Sequence, residues 1–179
     1  MTIHFVSDNY NKYEEAKLVF KSITHKLEYY SFVLSETKDS QLDVVHEKAQ
    51  QVLNVLQGPF IVDDTCLYIK ERVDYPGVHT KQLLKSKSYE DFIKYIKTPK
   101  RAYFKTLLAL KYDAEIKIFE GIMNGELIYS DVISYKDYNA YFYPDGYKKN
   151  LSQFDIKERV LISHRAKAFE GLNKYLEER

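Results

Sequence analysis

The stretch "FIVDDTCLYI", residues 60 to 69, constrains the fold more than any other part of the chain. Phe60-Ile61-Val62 reads as a β-strand. Two adjacent carboxylates, Asp63 and Asp64, then interrupt the apolar run, which resumes through Thr65-Cys66-Leu67-Tyr68-Ile69. An unpaired carboxylate is costly to bury. Such a pair at a strand end therefore calls for a surface turn, an ion pair or a metal ion.

The rest of the chain alternates helical and strand patterns. Thr2 to Val6 reads as a first strand, Ser7-Asp8-Asn9 as a polar turn, and Asn11 to Ile23 as a helix. Lys26 to Leu34 is rich in aromatic and β-branched residues, as a second strand should be. Leu42, Val45, Ala49, Val52, Leu53 and Leu56 recur at helical spacing between Gln41 and Gln57, and Gly58-Pro59 ends that helix. "SYEDFIKYI" predicts a further helix. Arg101 to Tyr112, Ile116 to Gly121 and Glu126 to Ile133 predict three successive strands. "YKDYNAYFYPDGYKKN" predicts a loop turning at Pro144-Asp145-Gly146. A last helix starts near Ser163. The mixture indicates α/β, an elongated mixed sheet with flanking helices, and 179 residues suit one domain of two lobes around a cleft.

A net charge of +1 gives no overall field for nucleic acid or an anionic membrane, so neither is expected as a partner. The lone cysteine, Cys66, excludes an intramolecular disulfide. No apolar run approaches the ~18 residues of a membrane span. "MTIHFVSDN" lacks the layout of a signal peptide, and the expected location is cytoplasmic.

Three constellations carry candidate chemistry. In "FVSDNYNK" a strand turns into a helix, whose free N–H groups and partial positive charge suit a phosphate. Ser7 and Asn9 add donors there, and Lys12 adds a full charge. The plain alternative is a capped helix with a surface lysine. Glu36, Asp63 and Asp64 form an acid set. A hard cation such as Mg²⁺ needs only one or two carboxylates when substrate phosphates supply the remaining oxygens, but a solvated strand end has the same composition. In "SHRAKAF", Ser163 is an N-cap, and His164 and Arg165 fall in a first turn where the helix dipole disfavours cations. They face either a ligand or solvent.

Together these segments resemble the inosine/xanthosine triphosphate pyrophosphatases almost end to end. "FVSDNYNKYEEAK" is similar to that family's strand-TGNxxK-helix opening, "GPFIVDDTCLYI" to its (V/I)EDT/SGL segment and "YPGVHTK" to its PGxxxK. "RAYFKTLLAL" and "IFEGIMNGELI" are similar to its central strands. "YFYPDGY" and "ISHRAKAF" are similar to its closing pocket segments. The resemblance implies hydrolysis of non-canonical purine triphosphates (ITP, dITP, XTP) to monophosphate and pyrophosphate, usually by a homodimer. It implies a triphosphate cradle of Ser7, Asn9 and Lys12, with charge from Lys48 and Lys81. Glu36 and Asp64 would hold Mg²⁺ or Mn²⁺, and Asp64 would also orient or deprotonate the attacking water. Thr65 would line the site, and His164 and Arg165, started by Ser163, would read the purine.

The chain departs from that pattern in places. Asp8 replaces the glycine of TGN, Asp63 replaces a glutamate, and Arg159 stands where a lysine precedes the Ser-His-Arg segment. The family's aromatic-Gly-Trp/Tyr-Asp-Pro loop falls on Lys136-Asp137-Tyr138-Asn139-Ala140, so Tyr135 or Tyr138 is expected to replace its stacking ring. Adjacent strand residues point to opposite faces, so Asp63→Asn is expected to lower turnover much less than Asp64→Asn. The alternative function is a nucleotide-binding protein with an altered base pocket and little or no turnover.

Overall fold

The computed structural model describes residues 1–131 and 137–179. Seven strands form one mixed sheet: β1 (Thr2–Ser7), β2 (Lys26–Ser31), β3 (Phe60–Ile69), β4 (Pro76–Gly77), β5 (Lys100–Tyr112), β6 (Glu115–Leu127) and β7 (Phe142–Pro144). Their order is β2-β1-β3-β5-β6-β7, with β4 paired to β3. β1 is parallel to β2 and β3, and the remaining pairs are antiparallel. Helices α1 (Tyr10–Val19), α2 (Gln41–Leu53), α3 (Thr80–Leu83), α4 (Tyr89–Tyr95), α5 (Ile156–Arg159) and α6 (His164–Glu177) flank it. Among the described residues no helix is long and apolar enough to cross a membrane.

The sheet serves two lobes. In the first, Phe5, Ile61 and Leu108 pack on one face against Ala16 of α1 and Phe169 and Leu172 of α6. On its other face Val6, Val62 and Ala109 pack against Val45, Ala49 and Val52 of α2. In the second lobe Leu67, Ile69, Phe104 and Met123 pack against Leu83, Phe92, Phe142 and Phe154. β3 therefore serves the first lobe with residues 60–62 and the second with residues 67–69. Asp63, Asp64 and Thr65 occupy the crossing.

Three sequence expectations change. β3 runs without a break through its two acids. Ile116–Gly121 and the start of the strand expected at Glu126 belong to one thirteen-residue strand, β6; the end expected at Ile133 lies outside the described residues. The expected loop contains a 3₁₀ turn, Tyr138–Ala140, and β7. Its Pro144-Asp145-Gly146 turn is present, closed by Tyr147 N–H donating to Pro144 O, with Gly146 at φ +85°. Three further elements run shorter than their patterns suggest: α1 ends at Val19, β2 at Ser31 and α2 at Leu53.

Gly121, in the middle of β6, sets the position of α6. A Cβ there would lie 1.9 Å from the His164 carbonyl oxygen and 2.4 Å from the Ala168 nitrogen, both backbone atoms. Gly121→Ala must push the first turn of α6 away from the sheet. We expect a loss of roughly 1–3 kcal/mol, the usual cost of overpacking, read as a lower urea midpoint. An unchanged midpoint would mean that α6 does not press on β6.

Candidate active site

β1 ends at Ser7, having paired with β3 only as far as Val62. β4 takes up that edge of β3 again at Leu67. Between them residues 63–66 have no strand partner on this side, and a cavity of about 430 Å³ opens there. Side chains from both faces of β3 reach it. Asp63 and Asp64 point to opposite faces, as expected, yet both line the same cavity. The position, beyond the carboxyl ends of two parallel strands, is where open α/β sheets commonly hold ligands.

The ion-pair answer to the acids is the one present. Asp63, 3% exposed, accepts from Lys12 Nζ at 2.9 Å through Oδ1 and from Arg165 Nη2 at 3.0 Å through Oδ2. Burial opposes its charge, but Lys12, Arg165 and Lys48 outweigh that and hold its carboxyl well below the usual carboxylate range. Asp63 thus has a structural part in the fold: it joins α1 to α6 through β3. Asp64 accepts from Lys48 Nζ at 2.8 Å through Oδ1 and from the Cys66 thiol at 3.2 Å through Oδ2. Lys48, 4% exposed, also meets Glu36 Oε1 at 2.8 Å and donates to the Asp63 carbonyl at 3.1 Å. Burial disfavours the Lys48 ammonium, but Asp64, Glu36 and Asp63 raise its pKa above the ordinary lysine value.

The turn after β1 supplies donors. Ser7 Oγ accepts from Asn9 N–H at 3.1 Å, and Asn9 Oδ1 caps α1 by accepting from Asn11 N–H at 3.0 Å. Among the described residues the Ser7 hydroxyl proton and the Asn9 amide NH₂ have no acceptor and remain to donate. Lys81 of α3 and Arg159 of α5 line the same cavity, and Arg159 Nε is buried without a partner among the described residues. Ser163 does not line it; its Oγ caps α6 by accepting from Ala166 N–H at 3.0 Å.

The base-side loop is arranged differently from its expectation. Tyr138 is buried in the second lobe, edge-on to Phe92, and its hydroxyl donates to Thr80 O at 2.9 Å. It lines the cavity as part of the core and does not stand free to stack. Asn139 lines the cavity beside it. Tyr135 and Lys136 lie outside the described residues.

Sequence reading missed two members of the site. Glu15, one helical turn after Lys12, is buried; its Oε2 accepts from Arg165 Nη1, while Oε1 has no partner among the described residues. The i, i+3 spacing from Lys12 was the available signal. Thr106, fully buried, touches both Thr65 and His164. Nothing local in "FKTLL" marks it.

His164 is buried beside Phe104, with ring centroids 5.4 Å apart. Burial first, then the charges of Arg165, Lys12 and Arg159, hold its pKa well below the ordinary histidine value. A histidine neutral in the fold must take up a proton on unfolding in acid. Its stabilising effect is therefore full above the unfolded value near 6.5 and is lost as pH falls below it. We expect this group to contribute a progressive loss of stability as pH falls from about 6.5 toward about 5. His25, lowered by burial to a smaller extent, adds in the same direction. Urea midpoints across that range should fall more steeply for the wild type than for His164→Gln; parallel profiles would refute the assignment.

The fold and site define a class: an α/β protein of two lobes whose cleft carries enough charge of both signs to take a polyanion together with a cation. The chain belongs to the Ham1 family, whose model matches residues 3–175. It is 27% identical over 184 residues to the dITP/XTP pyrophosphatase of Thermococcus kodakarensis, covering 99% of this chain and 98% of that protein. It is 30% identical over 147 residues to an inosine triphosphate pyrophosphatase of Candida albicans, covering 80% of this chain and 73% of that one. The fold matches the Ham1 protein of Staphylococcus aureus at TM-score 0.77 and 21% identity over 98% of each chain. It matches a HAM1 protein of Coxiella burnetii at 0.78 and 19%, over 99% of this chain and 100% of that one.

Proposed function

We propose that the chain is a nucleoside triphosphate pyrophosphohydrolase that cleaves ITP, dITP and XTP to the monophosphate and pyrophosphate, clearing them from the nucleotide pool. The observation that carries this reading is the placing of Lys48 between Glu36 and Asp64 in a cleft also lined by Lys12, Lys81 and Arg159. The names of the relatives support the same chemistry. Ser7, Asn9 and Lys12 cradle the phosphates, with Lys48, Lys81 and Arg159 adding charge. Phosphoryl transfer depends on such positioning and charge stabilisation more than on covalent chemistry. Asp64 orients the attacking water and accepts its proton, Thr65 lines the same wall, and pyrophosphate leaves. His164, Arg165, Tyr138 and Asn139 surround the base.

Glu36 and Asp64 fit a divalent cation, Mg²⁺ or Mn²⁺. Each now has an oxygen 2.8 Å from the Lys48 ammonium, so a cation would bind beside that nitrogen and take over part of its pairing. Among the described residues no three acidic, histidine or cysteine groups stand together as a cage, and Mg²⁺ does not need one when phosphates complete its shell. When bound, the cation would neutralise phosphate charge. In this reading the protein works as a cytoplasmic homodimer with no nucleic acid or membrane partner.

The test is pyrophosphate release from ITP, dITP, XTP, GTP and ATP with Mg²⁺, and again with excess chelator. ITP and XTP should exceed ATP, and chelator should abolish turnover. Tight nucleotide binding without pyrophosphate release would favour the binding-protein reading. Full activity in chelator would remove the metal.

A further inference from the structure

Four side chains form one hydrogen-bonded line across the sheet. Arg165 Nη2 donates to Thr65 Oγ1 at 3.3 Å. Thr65 Oγ1 lies 2.7 Å from Thr106 Oγ1, and Thr106 Oγ1 lies 2.6 Å from His164 Nδ1. Thr65 and Thr106 are direct partners across β3 and β5. His164 and Arg165 are neighbours in the first turn of α6, so the line leaves that helix and returns to it.

The direction of the line follows from its fixed end. A guanidinium only donates, and each hydroxyl has one proton. Thr65 Oγ1 accepts from Arg165, and the one acceptor recorded for its own proton among the described residues is Thr106 Oγ1. The Thr106 proton then goes to His164 Nδ1. The reverse order would use both acceptor sites of Thr65 Oγ1 and leave the Thr65 proton with no protein acceptor among the described residues.

We propose that Thr106 is a positioning residue that fixes His164 as the neutral Nε2–H tautomer, so that the imidazole offers the cleft a donor and not a lone pair. His164 lines the cleft, and its Nε2 has no partner among the described residues. The depressed basicity described above keeps the ring neutral and the tautomer meaningful. A fixed donor pairs with a carbonyl oxygen on a base and not with an amino group. That consequence rests on the nucleotide reading; the tautomer itself does not.

Nitrogen-15 NMR of histidine-labelled, ligand-free protein tests the tautomer directly. The His164 signals, assigned by their loss in His164→Gln, should show a pyridine-like Nδ1 and a protonated Nε2. Thr106→Val should abolish this pattern, and Thr106→Ser should restore it. In steady-state assays Thr106→Val should lower the ITP-over-ATP ratio of kcat/KM on the order of tenfold, with Thr106→Ser close to wild type. An Nδ1–H tautomer or an imidazolium at His164 in the wild type would overturn the proposal, whether or not Thr106→Val folds. So would a Thr106→Val spectrum identical to wild type. The expected tautomer, lost in Thr106→Val, in a protein that turns over no triphosphate would uphold the proposal and remove the nucleotide reading instead.

Discussion

Asp64→Asn is expected to lower kcat for ITP by a factor on the order of 10² or more, while the protein stays folded. The substitution keeps the shape of the side chain and removes its charge. Two functions go together: the anionic oxygen that would bind the cation, and the base that takes the proton of the attacking water. The fold has a reserve at this point. Lys48 keeps Glu36 Oε1 at 2.8 Å and the Asp63 carbonyl at 3.1 Å, so its ammonium is not left without acceptors. Steady-state rates and thermal midpoints should therefore diverge, with a large loss in rate and a small one in midpoint. A variant within about fivefold of wild-type kcat would remove Asp64 from the reaction, since the loss of a single electrostatic group at a reacting centre usually costs far more.

What the sequence made legible divides along physical lines. The apolar run through residues 60–69 marks a strand, and the cost of burying charge requires partners for Asp63 and Asp64. The identity of those partners is not local. Lys48, Lys12 and Arg165 lie 16, 51 and 102 residues away from the acids they meet. The residues that the resemblance marked lie on the cavity wall, Ser163 apart, because their motifs are compact and ordered. It could not reveal Thr106, whose role depends on the register between β3 and β5. β6 runs unbroken through Gly121 and Gly125, although glycine ordinarily weakens a strand. Each instead admits a close neighbour, α6 at Gly121 and the Phe142 ring with the Tyr143 carbonyl at Gly125. Tyr138 looked like a free ring because period and composition do not distinguish a stacking aromatic from a core one.

Asp63→Asn is expected to damage stability more than Asp64→Asn does. The Asp63 side chain is 1% exposed, and its two oxygens take Lys12 on one side and Arg165 Nε and Nη2 on the other. Removing one partner of a buried pair costs about 3–5 kcal/mol, because the remaining charge stays desolvated. Here two cations lose their shared anion, and Arg165 is left with Glu15 alone among carboxylates. In a domain of this size each kcal/mol moves the thermal midpoint by about 2–4 °C, so a fall of roughly 6–20 °C is expected. The acid limb supplies an independent check. Because the carboxyl of Asp63 is depressed in the fold, its stabilisation is full above the unfolded value near 3.8 and is lost as pH falls through the lower folded value. The variant should therefore lose part of the wild type's steep decline below about pH 4. A midpoint within about 2 °C of wild type, less than 1 kcal/mol on the same scale, would show that the carboxylate does not bridge α1 and α6 in solution.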